Sequence, residues 1–235
     1  MTRVALAALA VLLLAAPAAG GGGPGRVWLG VSAQGRAIEA VERGDPHAAR
    51  KALVVGCIHG NECAGVAIVR RLEQAPPPRG VDLWLVESLN PDGEAAGTRF
   101  NARGVDLNRN FPTAWERLGG VFDSGARPLS EPESRIAYRL VLRLRPAVAI
   151  WFHQHMTLVD GSGGSAALER RFARLVRLPF VPLPRYGGSA TTWENATLPG
   201  KTAFVVELSA GPLTSAQAAR FAGAVLAVAR PLTAA

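Results

Sequence analysis

Leu53-Val54-Val55-Gly56-Cys57-Ile58-His59-Gly60-Asn61-Glu62 is the stretch whose reading decides the fold. An apolar, β-branched run ends at a glycine. A histidine and a glutamate follow, and a helix-like segment begins at Ala64. This is the pattern of a buried strand opening into a loop and a helix, and open α/β sheets place their sites at such strand ends. One His and one Glu from this loop, with a second His from elsewhere, would make a ligand set for catalytic zinc that leaves a fourth position for water. Alone the pair says little, because a solvated or helix-capping loop also contains a His near a Glu.

The flanking segments supply the rest. Val27–Val31 and Ala37–Val41 alternate weakly around Gly35-Arg36, as an edge hairpin does. Ala52–Gly56 is the first central strand. Val66, Val69 and Leu72 give Ala64–Gln74 helical spacing, which Pro76-Pro77-Pro78 ends. Val81–Val86 is the next strand, and Asn90-Pro91-Asp92-Gly93 is a turn signal. From Gly93 to Gly125 periodicity fails. This polar loop carries Arg99, Asn101, Arg103, Asp106, Asn108, Arg109 and Asn110, and structureless loops of such length in compact domains are usually functional. Ser130 reads as the N-cap of a helix that runs to about Leu144, with Pro132 and Glu133 in its first turn. Ala147–Phe152 is a third apolar strand ending at His153-Gln154-His155. Ala166–Leu178 is helical, and a Pro- and Gly-rich passage follows. Thr202–Val206 is a fourth strand ending at Glu207, and Ser215–Arg230 is a closing helix. Three strands thus end in a side chain that can bind metal or move a proton: His59, His153 and Glu207. Alternating strands and helices predict one α/β domain with a mixed, mostly parallel central sheet and helices on both faces, and such a sheet can bring those ends into one crevice.

Length and composition fit that reading. The 235 residues suffice for one domain with a large core, 49% of them are hydrophobic, and 19% are charged. The net charge of +8 comes almost wholly from dispersed arginines. No basic stripe interleaved with aromatics is present, so a nucleic-acid partner is not expected; a basic balance can favour acidic substrates. Arg3, the apolar run Val4–Ala15 and Ala16-Pro17-Ala18 have the form of a signal peptide over residues 1–19. The run is short for a membrane span, although an uncleaved anchor is the alternative. Residues 20–26 then form a flexible start and 27–235 the catalytic domain, expected to act as a secreted or periplasmic monomer. Cys57 and Cys63 bracket His59 and Glu62. Export permits a disulfide between them, and two buried free thiols are the other reading.

His59-Gly60-Asn61-Glu62, Asn90-Pro91-Asp92-Gly93, Arg99-x-Asn101-x-x-Gly104-Val105-Asp106-Leu107-Asn108-Arg109-Asn110-Phe111-Pro112, Ser130-Glu131-Pro132-Glu133, His153 and Glu207, in this order, resemble the zinc carboxypeptidase A superfamily, the funnelins. The similarity spans about Val27 to Leu208. The short length and the Gly104–Pro112 run look most like the bacterial murein peptide amidases, which cut the bond between γ-D-glutamate and diaminopimelate. The resemblance implies one zinc held by His59, Glu62 and His153, with Asp106 fixing the His59 ring. It implies Glu207 as general base and acid, Arg99 as stabiliser of the oxyanion, and Asn108 and Arg109 as holders of the terminal carboxylate of a peptide substrate. Tyr186 stands near the position of the tyrosine that closes over substrate in digestive relatives. If Gly187-Gly188-Ser189 matches that family's Gly-Gly-Ser, the specificity position falls near Ala190.

Other assignments compete. His155 rivals His153 as ligand, Asp106 and the asparagines could serve only as turn residues, and Glu207 could be a structural acid. Asn61 replaces an arginine found in many digestive relatives. A zinc deacylase of the aspartoacylase and succinylglutamate desuccinylase type shares His-Gly-Asn-Glu; Asn90–Gly93 and the export signal weigh against it. A non-catalytic binder on the same fold would be expected to lack Glu207 or a ligand, and this chain has them all.

Overall fold

The computed structural model describes residues 25–230 apart from Pro77 and Ser162; the predicted signal segment lies outside these. Among the described residues seven strands form a single sheet: β1 (Arg26–Val31), β2 (Ala37–Gly44), β3 (Lys51–Val55), β4 (Asp82–Val86), β5 (Val148–Asp160), β6 (Phe180–Val181) and β7 (Thr202–Ser209). Their order is β1-β2-β4-β3-β5-β6, with β7 also on β5. β3 pairs in parallel with β4 and β5, whereas the β1–β2 and β2–β4 pairs are antiparallel. The mixed sheet with helices on both faces is the architecture expected from the sequence.

Alternation along the central strands builds two cores. Ala52, Val54, Leu83, Leu85, Val148, Ile150, Phe152, Phe204 and Val206 face one way. On that side pack α1 (Gly65–Gln74), α4 (Ala166–Val176) and α6 (Ser215–Ala229), through Ile68, Leu72, Phe172, Val176, Phe221 and Val225. Leu53, Val55, Trp84, Val86, Ala149, Trp151 and Ala203 face the other way, against α3 (Pro132–Leu144) and α5 (Ala190–Thr197). Burial on both faces explains why these strands are continuous apolar runs.

Four expectations are corrected. Arg26 already belongs to β1, and Glu42 N–H donates to Gly25 O at 2.7 Å, so the flexible start cannot extend to residue 26. Ser130 does not cap α3. Glu131 occupies the N-cap without a side-chain bond, while the Ser130 hydroxyl accepts from Asn110 Nδ2 at 2.9 Å and donates to Glu131 Oε1 at 2.8 Å. The long loop contains a short helix, α2 (Pro91–Ala96), capped by Asn90, and two 3-10 turns at 107–109 and 120–122. Finally, β5 runs well past Phe152. Its register with β7 rises from Val148 opposite Thr202 through His153 opposite Glu207 to His155 opposite Ser209. It then falls, with Met156 opposite Ser209, Leu158 opposite Glu207 and Val159 opposite Val206. The strand therefore turns back after His155, through Thr157 at φ 57°, and flanks both edges of β7.

The α5 core holds an ionisable group. Glu194 is 1% exposed and accepts the Trp151 Nε1–H at 3.2 Å. Burial pushes its carboxyl up to about 8, with the tryptophan bond opposing. An unfolded glutamate titrates near 4.5. Between these values the folded state binds a proton that the unfolded state lacks, so stability is fullest below about 4.5 and declines as pH rises toward about 8. Urea unfolding at about pH 5 and about pH 8.5 should show the parent losing more stability across that range than Glu194→Gln, by about 1–4 kcal/mol. Equal losses in the two proteins would refute the assignment.

Candidate metal centre and substrate cavity

The loop after β3 is pinned from several sides. Cys57 and Cys63 form a disulfide with Cα atoms 4.7 Å apart, and the closed loop contains His59 and Glu62. Asn90 Nδ2 donates to Ile58 O at 3.1 Å, while Asn90 Oδ1 caps α2 through Gly93 N–H at 2.9 Å. A Cβ on Gly60 would collide with the Gly93 backbone. Thus the two motifs at residues 59–62 and 90–93 interlock, and only a glycine at position 60 permits the approach. Asp92 ties the same corner to the β1–β2 hairpin by accepting from the Ser32 hydroxyl and Gln34 N–H, both at 2.9 Å.

His59, Glu62 and His153 converge. Glu62 Oε2 lies 2.9 Å from His59 Nδ1 and 3.1 Å from His153 Nδ1, and the two ring nitrogens are 3.2 Å apart. Ligands held tetrahedrally about 2.0–2.1 Å from one zinc would be about 3.3 Å apart, so the triangle is nearly the size of a tetrahedral face. His155 lines the same cavity but is outside this cluster. The opposite nitrogen of His59, Nε2, lies 2.9 Å from Asp106 Oδ1. Asp106 also accepts from Asn108 N–H at 2.9 Å and from Arg99 Nε and Nη2 at 3.0 and 2.8 Å. With four N–H groups directed at this carboxylate, His59 Nε2 carries the proton and Nδ1 presents its lone pair to the triangle.

The electrostatics favour a cation here. Burial would push Asp106 up, but His59, Arg99 and Arg109 hold it well below the usual carboxylate range. Burial likewise opposes ionisation of Glu62, and the hydrogen bonds from His153 and His59 outweigh it. Burial pushes His59 down, yet Asp106 and Glu62 raise it overall. Surroundings that favour an extra proton on this triangle also favour a metal ion, which would displace that proton. The donor set therefore fits a zinc-type metal.

The triangle opens into a cavity of about 300 Å³ whose walls include Arg99, Asn108, Arg109, Tyr186 and Glu207. The β5–β7 register sets Glu207 directly beside His153. Arg99 spans Asp106 and Glu62 Oε1, the latter at 2.9 Å, so its guanidinium braces the metal loop as well as lining the cavity. Asn108 Oδ1 accepts the Ala190 N–H at 2.9 Å. Arg109 is 5% exposed; its Nη1 donates to Asn108 O at 2.8 Å, and its Nε has no partner among the described residues. Its pKa is lowered by burial. A guanidinium in a cavity wall is chemically suited to an anion. Tyr186 and Phe122 stack at 5.6 Å, and both rings lie over this guanidinium, at 4.6 and 5.0 Å.

Ala190, the expected specificity position, is buried in the core and does not line the cavity. Thr191, Thr192, Val205, Asp160, Arg185 and Phe122 do. Sequence reasoning missed these six: Asp160 lies on the returning arm of β5, Phe122 and Arg185 lie on passages without periodicity, Thr191 and Thr192 start the short α5, and Val205 reads in sequence only as an apolar strand residue. An aspartate ending an apolar run at Leu158-Val159-Asp160 was the one available signal.

Residues 48–232 match the family described as the succinylglutamate desuccinylase/aspartoacylase catalytic domain, and the chain belongs to that family, within the wider superfamily of zinc carboxypeptidases. It is an enzyme of the metallopeptidase and amidase type. Among curated proteins it is 32% identical over 165 residues to murein peptide amidase A of Escherichia coli K12, covering 63% of this chain and 68% of that one. It is 30% identical over 161 residues to the protein of the same name from Vibrio campbellii, covering 62% and 64%. The fold superposes on the murein-tripeptide amidase of Escherichia coli O157 with a TM-score of 0.73 at 26% identity, covering 92% of this chain and 96% of that one. Carboxypeptidase A of Helicoverpa armigera shares the fold, with a TM-score of 0.72 at 16% identity over 87% of this chain and 68% of that one.

Metal analysis should find one divalent ion per chain in the parent and in His155→Ala, and little in His153→Ala. Full occupancy in His153→Ala with an empty His155→Ala would reverse the assignment. Arg109→Ala should weaken substrates bearing a free terminal carboxylate by about ten- to a hundredfold, the range for a charge-assisted hydrogen bond. The same substrates as amides should be unaffected, and equal loss on both sets would assign Arg109 a structural role.

Proposed function

We propose that this chain is an exported, zinc-dependent peptide amidase that cuts murein-type peptides at an amide whose leaving residue carries a free carboxylate. The observation that carries this reading is a guanidinium, that of Arg109, beside Asn108 in the wall of the cavity onto which His59, Glu62 and His153 open. The murein peptide amidases among the relatives support the substrate class. The Cys57–Cys63 disulfide supports an oxidising compartment.

His59, Glu62 and His153 would hold the zinc, which when bound polarises the scissile carbonyl and makes water easier to deprotonate. Glu207 takes the proton from that water and delivers it to the leaving amine. Asn108 and Arg109 fix the terminal carboxylate, which sets the scissile bond in register with Glu207. Arg99 stabilises charge developing on the carbonyl oxygen. Tyr186, already stacked over Arg109, covers the bound end from water.

The family match favours one further reading, an N-acyl amino acid deacylase, because such a substrate also ends in a carboxylate beside an amide. A murein tripeptide, ordinary C-terminal peptides and N-acyl amino acids, each with and without chelator, separate the two. The tripeptide should be hydrolysed fastest, and chelator should abolish the activity. Preference for N-acyl amino acids would overturn the amidase reading. Glu207→Gln should keep its metal and still bind substrate while hydrolysing it about a hundred- to ten-thousand-fold more slowly. Hydrolysis near the parental rate would remove Glu207 from the mechanism.

A further inference from the structure

Phe122 and Tyr186 are large rings left 37% and 46% exposed, and both line the cavity. Neither belongs to the core on either face of the sheet. They stack on each other, with centroids 5.6 Å apart and planes inclined by 22°. The Arg109 guanidinium lies 5.0 Å from the Phe122 centroid and 4.6 Å from that of Tyr186. The Arg99 guanidinium lies 6.0 Å from Phe122 as well. The Phe122 ring therefore stands against both the arginine assigned to the terminal carboxylate and the one assigned to the oxyanion.

The backbone holds Phe122 in this place. Phe122 ends the 3-10 turn at 120–122. The next residue, Asp123, accepts the Asp106 N–H through its backbone oxygen at 2.7 Å. Ser124 O accepts from Asn110 Nδ2 at 2.7 Å and from Trp115 Nε1 at 3.2 Å. The turn is thus tied to the same run of chain that carries Asn108 and Arg109. Tyr186 comes instead from the passage between β6 and α5, and its place over Arg109 depends on what it stacks against. A guanidinium donates its hydrogen bonds in its own plane, so aromatic rings can cover it and leave that edge free. A cation against an aromatic face is favoured, and more so where water is displaced. We propose that Phe122 is a positioning residue for the substrate's terminal carboxylate: its ring seats Tyr186 and shields Arg109, so that the guanidinium edge is kept for the substrate. This rests on the reading of Arg109 as the carboxylate holder and adds to it the residue that keeps that clamp assembled.

A murein tripeptide and its C-terminal amide test it on the metal-loaded enzyme. Phe122→Ala should raise KM for the tripeptide about three- to thirtyfold, the range for an aromatic stack or a cation–π contact, while kcat changes by less than about twofold. On the amide, KM should stay within about twofold of the parent. Phe122→Tyr should restore the parental KM. Phe122→Leu, which keeps apolar bulk without an aromatic face, should not. In an Arg109→Ala background, Phe122→Ala should add little further loss, because the two act through one contact. Metal content and melting temperature should match the parent, since the ring lies outside both cores. Equal loss on tripeptide and amide, equal rescue by leucine and tyrosine, loss of metal, or full additivity with Arg109→Ala would overturn the proposal while the amidase reading stands. If the parent instead prefers N-acyl amino acids, the amidase reading falls. The same variants on N-acetyl amino acids and their amides then decide the role of Phe122 by the same comparison.

Discussion

The Asp106 carboxylate is the group on which the site depends. It is wholly buried, and removing an ion from water costs several kcal/mol unless its lone pairs are met. Here they are met by four N–H groups from His59, Asn108 and Arg99. Each bond also fixes something else. The His59 bond selects the tautomer. The Asn108 bond shapes the turn that delivers Arg109 to the cavity. The Arg99 bonds bring a guanidinium onto Glu62, which closes a ring from Asp106 through His59 and Glu62 back to Arg99. Loss of any member leaves an uncompensated buried charge, so metal loop and substrate loop are fixed by the same contacts.

That ring explains what was legible in the sequence. The triangle and its partners come from short stretches with dense polar composition at the ends of apolar strands, and hydrophobic periodicity locates those ends. β3, β4, the first arm of β5, β7 and the helices α1, α3, α4 and α6 were each readable within a few residues. The helix that carries Glu194 was not. α5 is only eight residues long, follows a Pro- and Gly-rich passage, and is held by tertiary contacts such as Asn108 Oδ1 to Ala190 N–H and Asn195 Nδ2 to Ala203 O. Ser130 was misplaced for a related reason. Its hydroxyl finds a better partner in Asn110, a residue brought near by the long loop, and local capping preference yields to that contact.

The reversal of β5 was invisible for a different reason. His153-Gln154-His155-Met156-Thr157 contains neither glycine nor proline, the usual punctuation of a reversal. Gln154 supplies the anchor instead. Its Oε1 accepts the Ala64 N–H at 3.0 Å, and its Nε2 donates to Ser209 O and Gly211 O at 2.8 and 2.9 Å. One side chain thereby ties the turn to the start of α1 and to the end of β7. His153 stays on the rising arm, facing the metal triangle, and Asp160 enters the cavity wall on the falling arm.

A division of labour follows from this placement. The metal triangle, Asp106 and Glu207 sit where strand ends and interlocked glycines leave little conformational freedom. The matching family is described by deacylases while the curated relatives are peptide amidases, so the match by itself does not choose the substrate. The wall residues Phe122, Asp160, Arg185, Tyr186, Thr191 and Thr192 come from segments that no repeating pattern constrains, and such segments can change without disturbing the sheet. A terminal carboxylate is common to acyl amino acids and peptides, so on the proposed reading Arg109 does not by itself tell them apart. The groups placed to reach the rest of a bound leaving residue lie on these wall segments and not on the metal loop. On the proposed reading, substrate choice therefore rests on the wall segments, which are free to vary, and the metal-binding motif supplies the chemistry common to them all.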